Sequence, residues 1–273
     1  MNTQEIEKAK ELYLAGESLA EIGRQLNYGS MTIKRSLLKE GVQIRTRAEQ
    51  NIITNMKKKK NVDDNYFDKI DINQAWLIGF LAADGTIRKN NNSIKIGLST
   101  VDREILEKIK KELKIEREII DYTTNNGFNI SELEWTSKKH KDFLSQYNIV
   151  NNKTYLPMYL PSNFSRNQKL AFILGYFDGD GSISKTENYL RFRICAHRDE
   201  ILKSIAEFLK EEYNLKYSLS KDKRGLYELS ISTTYAIQLF KDMYNLNSFR
   251  LNRKYQKFLE YINHETTTSL IKG

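Results

Sequence analysis

The chain has 273 residues, 40% of them hydrophobic, which is enough to bury a core and too apolar for a disordered tail protein. Lys and Arg outnumber Asp and Glu by 44 to 35, and the resulting formal charge of +9 favours a polyanionic partner, nucleic acid before an anionic membrane. A lone cysteine, Cys195, excludes an internal disulfide and a thiolate zinc site, and no apolar run has the length of a membrane span or a signal-peptide core, so a soluble, cytoplasmic protein is expected.

Residues 1–41 predict three short helices. Ile6, Ala9, Leu12 and Tyr13 mark one face of the first, which Gly16 stops. Ser18 and Glu21 form a capping box for the second, which carries Leu19, Ile22 and Leu26. Ser30 is the expected cap of the third, with Ile33, Leu37 and Leu38 on its apolar side and Gly41 at its end. Two short helices joined by a tight, glycine-containing turn make a helix-turn-helix. The stretch from Ser18 to Leu38 resembles the DNA-binding helix-turn-helix of resolvases and many bacterial regulators. That resemblance implies that Ser30, Met31, Thr32, Lys34 and Arg35 face the major groove. A plain three-helix packing module is the alternative. Residues 1–45 are assigned to this all-α domain. Residues 46–64, with Arg45 just before them and Arg47 and Lys57 to Lys60 within, have little apolar period and read as a basic linker, either simply solvated or tracking phosphates.

Beyond the linker an internal repeat appears. Gly175, Asp180, Gly181 and Ile183 lie 96 positions after Gly79, Asp84, Gly85 and Ile87 respectively, each pair at the end of an apolar run that predicts a buried helix. Small residues four apart, Gly79 with Ala83 and Gly175 with Gly179, share a helix face on which another backbone can approach closely. Packed through those faces, the two helices would bring Asp84 and Asp180 together at their carboxyl ends. An acid is disfavoured there by about 0.3–1 kcal/mol, so a nearby cation is expected, and hard divalent ions take such oxygen ligands. Solvated Asp-Gly turns are the bland alternative.

After each apolar helix the order strand, strand, helix, strand, strand, helix follows. In the first copy the strands fall at 86–89, 93–100, about 116–124 and 128–136, with a helix carrying Ile105, Leu106, Ile109 and Leu113 and another near 138–147. In the second they fall at 182–185, 189–196, 216–221 and 226–233, with helices at 200–211 and 235–244. Ile94, Ile96 and Leu98 alternate with Lys95, Gly97 and Ser99, and Leu190, Phe192 and Ile194 alternate with Arg191 and Arg193. A β-ribbon with Lys95, or Arg191 and Arg193, on its polar face fits a major groove and can set Arg against guanine. An ordinary solvated sheet face is the alternative. The predicted fold class is α+β, two pseudo-symmetric αββαββα repeats (65–160 and 161–262) forming a DNA-binding saddle, plus the small all-α domain, with a frayed tail at 263–273. His140, His197 and His264 have no zinc-ligand spacing and read as surface or structural.

Leu77-Ile-Gly-Phe-Leu-Ala-Ala-Asp-Gly85 and Ile173-Leu-Gly-Tyr-Phe-Asp-Gly-Asp-Gly181 resemble the nine-residue motif of the LAGLIDADG homing endonucleases, in their single-chain, two-motif form. The first copy departs from the pattern at Ala82, where the second has Asp178. The resemblance implies a monomer that hydrolyses double-stranded DNA at a long asymmetric site, with Asp84 and Asp180 binding two or more divalent ions, Mg²⁺ by preference, and with the backbone oxygens of Ala83 and Gly179 completing the shell. It also implies a basic residue near each metal, for which Lys153 and Lys254 are the candidates. The same resemblance leaves room for a regulator that has lost cleavage and for an RNA maturase acting on intron RNA. An intein is disfavoured by a chain that starts with an ordinary Met and ends Ile-Lys-Gly.

Overall fold

The computed structural model describes residues 1–58, 62–186, 189–223 and 225–272, with side chains described for 1–54, 62–186, 189–223 and 225–264. The chain divides into two compact units, residues 1–60 and 61–273.

The first unit holds α1 (Thr3–Leu14), α2 (Leu19–Leu26), α3 (Ser30–Lys39) and α4 (Arg47–Lys58). Its core is small: Ala9, Tyr13, Ile22, Ile33 and Leu37. The Ser18–Glu21 capping box forms as expected. The turn after α2 passes through Asn27 in the left-handed conformation, and a Cβ on Gly23 would meet the Tyr28 carbonyl at 2.5 Å, so α2 and α3 are joined by a close-packed turn. Ser30 is not the cap of α3. Gly29 holds that position without a side-chain bond, and Ser30 is the first helical residue. The segment from 46 differs more from expectation, because α4 occupies most of it. Thr46 and Glu49 bond reciprocally at its start, a local helix signal masked by the lysine run that follows at 57–60. Arg45 is not a free phosphate contact either. Its guanidinium lies 3.9 Å over the Tyr13 ring and donates to the carbonyls of Tyr13 and Glu17 at 2.6 and 3.0 Å. The side chains of Lys57 to Lys60 lie outside the described residues.

In the second unit the first repeat runs α5 (Ile72–Ala83), β1 (Thr86–Ile87), β2 (Ser93–Ser99), α6 (Arg103–Glu112), β3 (Ile120–Thr123), β4 (Asn129–Thr136) and α7 (Lys138–Ser145). The second runs α8 (Arg166–Asp180), β5 (Gly181–Thr186), β6 (Tyr189–Ala196), α9 (Asp199–Tyr213), β7 (Ser218–Lys221), β8 (Tyr227–Ser232) and α10 (Thr233–Asn245). Each repeat makes an antiparallel four-stranded sheet, ordered β1-β2-β4-β3 and β5-β6-β8-β7. The alternation works as read: Ile94, Ile96, Leu133 and Trp135 are buried on one face of the first sheet, Leu190, Phe192, Ile194, Leu229 and Ile231 on one face of the second. A further helix, α11 (Asn252–Lys272), follows and runs on through the residues from 263 that the sequence predicts as a frayed tail. Among the described residues no helix is long and apolar enough to cross a membrane.

The two motif helices form the centre. Asp71 caps α5 and Ser165 caps α8, each in a capping box, so both helices start under local control. They cross at their glycines. A Cβ on Gly79 would come within 2.0 Å of the Phe172 carbonyl oxygen, and one on Gly175 within 2.0 Å of that of Trp76. Trp76, Phe80, Phe172 and Phe177 are almost fully buried around this crossing.

Candidate active site and sheet faces

The crossing carries the two acids to one place. Asp84 is the C-terminal cap of α5 and Asp180 the last residue of α8. A Cβ on Gly179 would sit 2.4 Å from the Ala83 Cβ and 3.3 Å from the Asp84 carboxyl carbon, so α8 reaches this point only with glycine there. No described residue donates a hydrogen bond to either carboxylate. Burial pushes the Asp84 carboxyl above its ordinary range, although Lys254, Lys153 and Arg253 draw it back. Burial, then the Asp84 charge, pushes Asp180 up to about 6, again against Lys153 and Lys254. Each acid thus feels the other's surroundings, and both lack a protein donor.

Both candidate lysines arrive at the same ends, by routes that the 96-residue offset does not relate. Lys153, in a short 3-10 turn, donates to the Ala83 carbonyl at 2.7 Å. Lys254, on α11, donates to the carbonyls of Phe177, Asp178 and Gly181 at 2.7, 2.7 and 2.6 Å, with that of Gly179 at 3.5 Å. Cations on the last carbonyls of a helix offset its partial negative charge. The two differ in access. Lys254 is 3% exposed, whereas Lys153 lines a cleft of about 310 Å³ together with Tyr176, Asp180, Cys195 and His197. Burial lowers the pKa of both, opposed by the neighbouring aspartates.

The sequence marks Asp178 only as the motif acid that Ala82 replaces in the first copy and gives it no role. Its Oδ2 accepts from the Trp76 indole at 3.0 Å and from the Leu251 amide at 3.1 Å, tying α8 to α5 and to the start of α11, while Oδ1 has no partner. Burial raises its carboxyl pKa and the charge of Lys254 opposes that. Only tertiary contact reveals this role, since none of its partners is near in sequence. His140 is buried rather than at the surface: Trp135 donates to Nδ1 at 3.1 Å, so the neutral ring uses Nε2–H toward the Asp63 carbonyl at 2.9 Å.

The other candidates are scattered. Ser30, Met31, Thr32 and Arg35 are exposed on α3 and Lys34 is half-buried, all in the first unit. On the first sheet's polar face Lys95 is not free, since Glu132 takes it at 2.9 Å. On the second, Arg193 bonds Glu228 at 2.5 Å, and Arg191 lies 4.8 Å over the Tyr189 ring. The glutamates were missed, although Glu132 and Glu134 alternate with Leu133 and Trp135 and so had to share the face of Lys95.

Among the described residues no three His, Cys, Asp or Glu side chains gather as a complete metal cage. The donor set nevertheless fits a hard dication. Two carboxylates without protein donors stand beside backbone oxygens, and a carbonyl such as that of Ala83 keeps a second lone pair after accepting from Lys153. Mg²⁺ binds through one or two carboxylates and leaves the remaining positions to water and phosphate.

Comparison with known proteins gives one family, described as LAGLIDADG-like domain, which matches residues 71–152 and 167–244. Among curated relatives, the DNA-directed RNA polymerase subunit Rpo1C of Methanocaldococcus jannaschii is 25% identical over 76% of this chain, and an uncharacterized protein of that archaeon is 26% identical over 72% of each chain. The chain spans 23% of Rpo1C and 10% of a similarly matched mimivirus DNA polymerase. Among solved structures, the homing endonuclease I-WcaI bound to its DNA recognition sequence has the same fold, with a TM-score of 0.51 and 14% identity over 79% of this chain and 96% of that one.

Proposed function

The chain belongs to the LAGLIDADG-like domain family, and from that premise we propose that it is a site-specific endonuclease that hydrolyses both strands of a DNA duplex with divalent ions. The observation that supports this reading best is the Asp84–Asp180 pair, brought together by a glycine crossing and left without protein donors. Holding two such carboxylates side by side is costly unless cations sit there.

Asp84 and Asp180 would hold the ions, Mg²⁺ for preference, with the Ala83 and Gly179 carbonyls beside them. Bound there, the ions would supply an activated water and neutralise charge on the phosphate and the leaving oxygen. The chain's own residues do the rest. Gly79 and Gly175 fix the separation of the carboxylates. Lys254 holds the end of α8 in place from within the protein, and Lys153 presents the accessible positive charge in the cleft, next to where a phosphate would lie. The exposed side of α3 would add a second DNA contact through Ser30, Met31, Thr32, Lys34 and Arg35. The sheet faces carrying Lys95, Arg191 and Arg193 would lie along a long asymmetric target as a saddle, with one chain sufficing. The test is cleavage of a source-genome or random DNA library with Mg²⁺, beside the Asp84→Asn/Asp180→Asn double variant. Discrete cuts by the wild type alone support the proposal. Specific retention of duplex DNA with no cut under any divalent ion replaces it with a regulator, and selective retention of intron RNA replaces it with a maturase.

A further inference from the structure

The polar faces of the two sheets carry opposite hydrogen-bonding demands. On the first, β2 and β4 set Lys95 opposite Glu134 and Gly97 opposite Glu132. Glu134 is saturated, receiving Arg117, Arg88 and the Ser93 hydroxyl. Glu132 is held on one side only. Lys95 at 2.9 Å and the Tyr122 hydroxyl at 3.3 Å both donate to Oε2, and no described residue donates to Oε1. On the second sheet the vacancy is the reverse. Arg191 faces only Ser184 and Ser232 across the strands and pairs with no described carboxylate. The Nε atoms of Arg191 and Arg193 and the hydroxyl of Tyr189 are buried with no partner. Those atoms are closed to water and to a ligand alike; the donors open to an incoming acceptor are the Nη groups of the half-buried Arg191, which no described residue takes. A fixed carboxylate repels phosphate, so DNA can meet Glu132 only through a donor on a base edge.

We propose that the two repeats read their half-sites with opposite polarity. Arg191 recognises the O6/N7 acceptor edge of a guanine under the second sheet, and Oε1 of Glu132 accepts from the N4 amino group of a cytosine under the first. These are the pairings that major-groove geometry favours for Arg and for a carboxylate. The inference rests on the reading of the chain as a DNA-recognising enzyme. It makes the preferred base pair at one position in each half-site depend on a single side chain, and the two halves unlike despite the repeat.

The test starts from selection of bound duplexes from a randomised library by the wild-type chain. Every single-base-pair substitution of the recovered target is then bound by wild type, by Arg191→Lys, which keeps the charge and loses the bidentate fork, and by the isosteric Glu132→Gln, with the melting temperature of each confirming that it is folded. Expected is a loss of roughly five- to hundredfold discrimination at one G·C pair for Arg191→Lys and at one C·G pair in the other half for Glu132→Gln, with the remaining positions unchanged. Unchanged profiles, or a uniform rise in affinity for all sequences on Glu132→Gln, would overturn the inference and leave Glu132 as a partner of Lys95 only. If the wild type enriches no duplex at all, the nuclease reading fails, and this inference with it.

Discussion

Replacing Gly175 by Ala tests the crossing on which the whole site depends. The added methyl would lie 2.0 Å from the Trp76 carbonyl oxygen and 2.9 Å from the Phe80 amide nitrogen, both backbone atoms that no rotamer change can move. Relief therefore requires α5 and α8 to part by more than about 1 Å through a core packed like an organic crystal. Overpacking of this kind costs about 1–3 kcal/mol and sometimes more. We expect about 3 kcal/mol here, because Trp76, Phe80, Phe172 and Tyr176 must all shift. Gly79→Ala meets the Phe172 carbonyl in the same way, and the double variant should cost less than the sum because both changes open one interface. Urea unfolding followed by circular dichroism measures the loss. Gly97→Ala is the control, since its methyl meets only the Ile130 side chain at 3.9 Å and should be near neutral. A Gly175→Ala protein as stable as the control would refute the close-crossing argument, and with it the account of how Asp84 and Asp180 meet.

Other consequences follow from the same contacts. Lys254→Met leaves three helix-end carbonyls without their donor and the buried Asp178 without its counter-charge, so a loss of about 3–5 kcal/mol is expected in urea unfolding. Lys153→Met, which frees one carbonyl beside an open cleft, should cost at most about 1 kcal/mol of stability while lowering cleavage about a hundredfold or more; equal destabilisation by both would contradict the difference in access. His140 is held neutral with its pKa lowered by burial, so its contribution is intact above the ordinary histidine value near 6.5 and lost as pH falls below it. The raised carboxyls of Asp84, Asp178 and Asp180 act in the opposite direction over pH 7.5 to 5, so the informative quantity is the stability difference between wild type and His140→Gln, which should shrink as pH falls; a constant difference would refute the assignment to His140. In the first unit, Arg45→Ala removes the cover of Tyr13 and two carbonyl bonds, and should lower that unit's melting temperature at a cost of about 1–2 kcal/mol, whereas Arg35→Ala, exposed on α3, should leave it unchanged.

The primary structure by itself determined the repeat, the order of elements within each copy, the buried faces of β2 and β6, and the two acids at the ends of the apolar helices. All of these follow from local rules: periods of two and 3.6, caps, and glycines at a fixed spacing. The 46–64 segment shows how such rules fail, since a capping pair at Thr46 and Glu49 was outweighed by a run of lysines. Tertiary structure decided everything that depends on what stands across a gap. It set Lys254 beneath three carbonyls and left Lys153 in a cleft, though both looked alike as basic residues late in their repeats. It made Asp178 a tie between three helices and Arg45 a clamp on Tyr13. It also gave Lys95 and Arg193 to glutamates on neighbouring strands and left Arg191 with none among the described residues. The physical reason is common to all of these. A charged side chain is defined by its partners and its access to water, and those are brought together by strand register and helix crossing over separations of tens of residues.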